Sequence, residues 1–245
     1  MAQKKTEKDD KNAPFGLPYF RVHKTISSAK EYKEEVELTP DRANWAKLLL
    51  GVPDVWQETK GKGIKVAVLD TGIDTDHPDL KDAIVKTENF TDDDSVEDTN
   101  GHGTHCAGII GARFNSKLFI GVAPECELMI GKVFNAKNST TNDWIANAVD
   151  WAVASGADII SMSLGSPIPS PDVYKSIHLG LAKGVFIFVA AGNDGSLFRN
   201  SIGYPGRYGG VITVASHDRN GNPSGFSSRG GEVDIMAPGS NICST

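Results

Sequence analysis

A chain of 245 residues with formal net charge −6, 39% hydrophobic and 23% charged residues has the profile of an ordinary globular protein with room for a sizeable core. A pI near 5.5 without a basic block argues against nucleic acid or an anionic membrane as the main partner, and no apolar run reaches the roughly 18 residues of a membrane span. Cys106, Cys126 and Cys243 stand far apart with no Cys-x-x-Cys, which speaks against a disulfide scaffold or a zinc site.

Residues 1–40 read as a disordered polar tail followed by an N-terminal extension, because charges crowd the start and Pro14, Pro18 and Pro40 interrupt the remainder. No apolar signal-peptide core follows, which predicts a cytoplasmic protein. From 41 to 245 the pattern is regular and free of repeats. Five apolar runs bounded by turn residues, at 64–70, 127–134, 157–164, 184–191 and 210–216, are predicted as strands buried on both faces. A helix is predicted over 143–155, where Trp144, Ile145, Ala148, Val149 and Ala152 recur at helical spacing before Gly156. Val173, Tyr174, Ile177 and Leu181 predict another over 171–183, with Gly184 just after. Strands alternating with helices predict an α/β fold with a mostly parallel central sheet and helices on both faces. Ligands in such folds collect beyond the carboxyl ends of the strands.

Asp70 closes the first strand and precedes Thr71-Gly72. It suits an active site or, equally, a plain turn. Aspartic proteases also carry Asp-Thr-Gly, but they need two such carboxylates on an all-β fold, and this chain has one on an α/β pattern. Residues 100–110 read NGHGTHCAGII, a glycine-rich loop entering a helix. His102 is the candidate general base and His105 a structural histidine; the intervening residues and the lack of a third ligand disfavour a metal pair. Asn193, between Gly192 and Gly195 after an apolar strand, can offer its amide to a developing oxyanion or simply shape a turn.

Taken together and in order, VAVLDTGID with HPDL, HGTHCAG, SMSLG, AAGN, GYPG, FSSRG and MAPG resemble the subtilisin family of serine proteases, over about residues 41–245. The resemblance implies the three-layer subtilisin-like fold, with Asp70 and His102 as catalytic aspartate and histidine and Asn193 as the oxyanion-hole residue. It implies peptide or protein substrates bound as an added strand between Asn138-Ser139-Thr140 and Ser163-Leu164-Gly165. Ala190, Ala191 and Gly192 would wall the pocket for the residue before the scissile bond, with Gly203 at its base. The family's nucleophile lies in a Gly-Thr-Ser-Met-Ala segment beyond the MAPG motif, and residues 1–245 end before it, at Cys243-Ser244-Thr245. The expectation is therefore an incomplete peptidase domain that is inactive as it stands, with a catalytically dead peptide-binding relative as the alternative.

The resemblance also implies Ca²⁺. One site would use Asp79 and Asn115, with Asp41 at the N-terminal ligand position; Leu118 replaces a common glycine there. A second, like the extra site of thermitase-like members, would use Asp92, Asp94 and Asp98, an acidic run that reads equally as a solvated turn. A weaker third would use Asp234 with the carbonyls of Gly206, Tyr208 and Val211. The extension is too short for the folded pro-domain of secreted subtilisins, but Leu17-Pro18-Tyr19 resembles the inhibitory motif of intracellular ones. A proline beside the scissile position resists cleavage because its φ is locked and its N–H is missing. Oligomeric state is not legible.

Overall fold

The structure, a computed structural model, describes residues 45–114, 119–195 and 200–245. The extension, with Leu17-Pro18-Tyr19, Asp41 and the boundary at residue 40, lies outside the described residues, as does Asn115. Two short helices, α1 (Trp45–Leu49) and α2 (Val52–Val55), lead into the sheet. There follow β1 (Lys65–Asp70), β2 (Ile84–Asn89), α3 (His102–Gly111), β3 (Glu127–Lys132), α4 (Asn142–Ala154), β4 (Ile159–Met162), α5 (Pro171–Ala182), β5 (Phe186–Ala190), β6 (Ile212–His217) and β7 (Ile235–Pro238).

The seven strands form one sheet in the order β2-β3-β1-β4-β5-β6-β7, and every pairing is parallel. All carboxyl ends therefore share one edge. β1 lies inside the sheet because its run alternates between two cores: Val66 and Val68 face one, Ala67 and Leu69 the other. On the first side α3 packs through Ala107 against Leu128 and Ile130. On the second, α4 and α5 bury Ile145, Ala148, Val149, Ala152, Val173 and Ile177 against Met129, Ile160, Met162, Ile187 and Val189. Burying a side chain of the Leu, Ile or Met class contributes about 1.5–3 kcal/mol relative to exposing it, so these apolar stripes fix the helices to the sheet. Thr141 and Ser170 start α4 and α5 by accepting from the amides of Trp144 and Val173, and Pro171 opens α5 where no amide partner is needed.

One expectation is corrected. β4, β5 and β6 were expected to be buried on both faces, yet their residues alternate between buried and partly exposed. The register pairs Ile159–Phe186, Phe188–Ile212 and Val214–Ile235 line the face on the α3 side, where Phe186 is 61% and Ile235 48% exposed. Among the described residues α3 covers this side only behind β1 and β3. A continuous apolar run shows that both faces can be covered, not that they are.

Candidate active site

Asp70 ends β1 and is 2% exposed. One of its oxygens, Oδ1, accepts from the amide of Thr71 at 2.7 Å and meets Nδ1 of His102 at 2.6 Å. His102 is the first residue of α3, which starts at Gly101 with φ 91, a left-handed conformation that favours glycine. The helix can come this close to the β1 turn because residue 103 is glycine; any side chain there would collide with the carbonyl of Gly72. A carboxylate on Nδ1 fixes the proton there and leaves Nε2 as the base. Burial disfavours charge on His102, but the Asp70 carboxylate more than offsets it, with Cys106 adding, and the histidine is held well above its ordinary 6.5.

Asp98 organises this corner. Its Oδ1 accepts from Thr71 Oγ1 at 2.9 Å, Asn100 N at 3.0 Å and Gly101 N at 2.9 Å; its Oδ2 accepts from Thr104 N at 2.9 Å and Thr104 Oγ1 at 2.8 Å. A carboxylate at a helix start meets unpaired amides and the positive end of the dipole. Burial would raise its pKa, but these donors hold it below the usual carboxylate value. Thr71 closes the circle by accepting from Gly103 N at 2.8 Å.

Cys106 lies one turn beyond His102. Its Sγ is 3.9 Å from Nδ1 and 3.8 Å from Nε2, with Ser163 Oγ at 3.6 Å. Near-equal distances to both ring nitrogens place the sulfur off the Nε2 lone-pair axis, so it is not aligned as a nucleophile. Asp70, His102 and Cys106 are the one group of metal-capable side chains gathered among the described residues. His105 was expected to be structural: its Nε2 faces the carbonyl of Ile242 at 3.2 Å, and burial lowers its pKa.

The other expected residues converge on the same edge of the sheet. Asn193 is exposed on the loop after β5, where Gly192 takes φ 110 and its carbonyl accepts from Ser228 N at 2.9 Å. Ser163 is exposed just beyond β4, Leu164 is buried, and Gly165 precedes the bridge between Ser166 and Tyr204. Gly203 donates to Ala191 O at 3.4 Å and its neighbour Tyr204 bridges Ser166, which sets 166, 191 and 203 side by side. Asn138 adopts φ 57, and Ser139 is pinned by Asn135, whose Oδ1 accepts from Ser139 N at 3.0 Å and whose backbone N–H donates to Ser139 O at 3.0 Å. Thr140 is buried behind them.

The carboxylates suggested for calcium fare differently. Asp79 is fully buried; its Oδ2 accepts from Phe119 N at 3.2 Å and its carbonyl from Arg113 N at 2.8 Å. A hard carboxylate oxygen is the kind of donor that could take part in holding Ca²⁺. Asp92, Asp94 and Asp98 are not brought together: Asp92 accepts from Asn135 Nδ2 at 2.8 Å, Asp94 is exposed, and Asp98 is occupied at α3. Asp234 is exposed and accepts from Thr213 N at 2.8 Å, while Thr213 Oγ1 donates to Gly206 O at 2.6 Å.

Asp98 as a helix cap and Lys132, the largest fully buried side chain, escaped the sequence reading. An acid four residues before a helix-starting histidine is the signal that could have found the first. For Lys132 the signal was a lone lysine ending an apolar strand.

Comparison with known proteins agrees with this geometry. Residues 61–245 match the Subtilase family, Peptidase_S8. The chain is 45% identical over 204 residues to an intracellular serine protease of Paenibacillus polymyxa, covering 80% of this chain and 63% of that protein. It is 44% identical over 206 residues to the major intracellular serine protease of Bacillus subtilis (strain 168), covering 80% and 65%. Thermitase of Thermoactinomyces vulgaris is 40% identical over 195 residues, covering 79% and 69%. The chain thus spans less than two thirds of the two intracellular relatives. Among the described residues no helix is long and apolar enough to cross a membrane. On the family match and these identities, the chain belongs to the subtilases.

Proposed function

We propose that the protein is a serine endopeptidase that hydrolyses peptide bonds with an Asp-His-Ser triad, and that Asp70 and His102 supply two of its members. The observation that carries this is the 2.6 Å contact between Asp70 Oδ1 and His102 Nδ1 at the carboxyl edge of the sheet. Nε2 would take the nucleophile's proton and later return it to the leaving amine, while Asp70 stabilises the imidazolium. The Asn193 side-chain amide would donate to the oxyanion, together with the nucleophile's own backbone N–H. Among the described residues no serine hydroxyl hydrogen-bonds His102.

The substrate would lie extended between 138–140 and 163–165, with its side chain before the scissile bond in the groove at Ala190, Ala191, Gly192 and Gly203. Gly165 and Gly203 narrow nothing, and Ile202 beside them is neutral and buried, so bulky apolar side chains are preferred over a dibasic pair. Ca²⁺ at Asp79, with Asn115, would brace the 113–119 loop and contribute to stability rather than to chemistry. An intracellular location follows the names of the two intracellular relatives.

The exposed Ser163 and Asn193 at the carboxyl edge of the sheet also suit a second reading, a peptide-binding protein that does not cut. The two separate in a single experiment on the intact protein, fluorophosphonate labelling followed by cleavage of a peptide library. A peptidase is labelled at one serine and loses about 10²–10³-fold in kcat on Asn193→Ala, a magnitude carried over from subtilisin itself. Retained peptide binding with no labelling and no cleavage would establish the second reading. A strict Arg-Arg or Lys-Arg requirement would sink the specificity.

A further inference from the structure

Lys132 ends β3 opposite Asp70 in register and is 1% exposed. A buried ammonium is costly unless it is paired and hydrogen-bonded, so what it touches is a strong constraint on the fold. Its Nζ donates to Thr71 O at 3.1 Å and Glu97 O at 2.7 Å, and pairs with Asp93 Oδ2 at 3.3 Å. The first contact holds the turn that follows the catalytic carboxylate. The third reaches the acidic turn of residues 91–94. The same Asp93 Oδ2 accepts from Ala136 N at 2.8 Å, and neighbouring Asp92 accepts from Asn135 Nδ2 at 2.8 Å. Asn135 in turn holds both the N–H and the carbonyl of Ser139.

We infer that Asp93, anchored on Lys132, is a positioning residue for extended peptide substrates, holding the 138–140 edge to the same ammonium that grips the Asp70 turn. This rests on the peptidase reading above. Asp93 touches no reacting atom on that reading. Its work is to keep Ala136, and through Asn135 the edge strand, at the height at which a peptide backbone can pair with it. Residues of a substrate well before the scissile bond bind there, whereas a single-residue ester does not reach it. Loss of Asp93 therefore weakens binding of long substrates and leaves the chemical step intact.

The test uses the intact protein, Asp93→Ala and Asp93→Asn, with two measurements. Steady-state kinetics compare a peptide carrying four residues before the cleaved bond with a single-residue ester, and amide hydrogen exchange follows 133–141 against α5 as control. Asp93→Ala is expected to raise KM for the long peptide about tenfold, with its kcat and the ester's kcat/KM within about twofold. Exchange in 133–141 rises about tenfold while α5 is unchanged. Asp93→Asn, which keeps an oxygen for Ala136 N, restores KM and exchange. If the lone ammonium prevents Asp93→Ala from folding, Asp93→Glu, which keeps a charge for Lys132 but displaces the oxygen that holds Ala136 N, is measured in the same way. Equal losses on both substrates, or unchanged exchange at 133–141, overturn the inference. If the unaltered protein cleaves neither substrate, the peptidase reading fails, and the exchange data still decide whether Asp93 holds the edge.

Discussion

Replacing Asp98 by asparagine removes the charge that holds the start of α3 but leaves one oxygen. Asp98 collects five hydrogen bonds of 2.8–3.0 Å, and its partners Thr71 and Thr104 are 3% and 7% exposed. Hydrogen bonds to a charged group contribute about 1.5–3 kcal/mol each, but the donors at Asn100 and Gly101 are exposed and can turn to water. The three bonds to buried partners sum to about 4.5–9 kcal/mol, an upper limit because the released threonine hydroxyls can find other partners, so Asp98→Ala should cost about 4 kcal/mol or more and Asp98→Asn about 2, large fractions of the 5–15 kcal/mol typical of a domain. The pH dependence has a definite sign. Because its donors depress the folded pKa below 3.8, Asp98 stabilises the fold fully above about pH 4, and that contribution is lost as pH falls through the folded value. Urea denaturation of the intact protein and Asp98→Asn at pH 7 and pH 3 measures both. The gap should be about 2 kcal/mol at pH 7 and narrow on acidification. A gap below about 0.5 kcal/mol at pH 7, or one that widens in acid, would refute the capping role.

Asp70→Asn should lower kcat about 10⁴-fold and, with the carboxylate's charge removed, lower the His102 pKa; an unchanged histidine titration by NMR would contradict the pairing. Since Asp70 raises the folded pKa of His102, the pair's stabilisation is full below about pH 6.5 and fades as pH rises through the raised value. Chelation should lower the melting temperature and Ca²⁺ at a hundredfold excess over Kd restore it, adding about 2.7 kcal/mol of stability; an unchanged curve for metal-free protein counts against Asp79 as a ligand. A polypeptide of residues 1–245 should bind hydrophobic dyes at the Phe186–Ile235 face and aggregate, because apolar area left in water forfeits about 25 cal/mol per Å². A cooperative melt without dye binding would show that this face is not a liability.

The parts of the fold legible in the sequence were those whose pattern is set by burial. β1 and β3 were expected within two residues of their ends because Val66–Leu69 and Leu128–Ile130 have no exposed position at which polarity could interrupt the run. α4 and α5 were equally plain, since each carries a stripe on one face and a side-chain cap at its start. β2 was missed for the converse reason: at the sheet's edge, IVKTEN has no fully buried residue and reads as loop. β7 is shorter still and as open, with Ile235 and Met236 both about half exposed.

The site divides along the same physical line. Asp70, His102 and Asn193 stood out as candidates because such residue types set among glycines are a rare combination. What orients them was not legible, because an orienting residue is recognised by partners distant in sequence. Asp98 sits in an acidic run that looks like solvated surface, yet its oxygens meet Thr71 and Thr104, 27 and 6 residues away. Lys132 reads as the polar end of a strand, yet its ammonium is buried among Thr71, Glu97 and Asp93. Only the sheet order, which sets β3 beside β1 and β2, makes that burial tolerable, by bringing two carbonyls and one carboxylate to the same point. A methionine at 132 would preserve the strand's hydrophobic pattern and improve its apparent fit to a buried run. It would also release the Thr71 turn from the acidic turn, so the residue that the apolar pattern least favours at 132 is the one that the site's geometry requires.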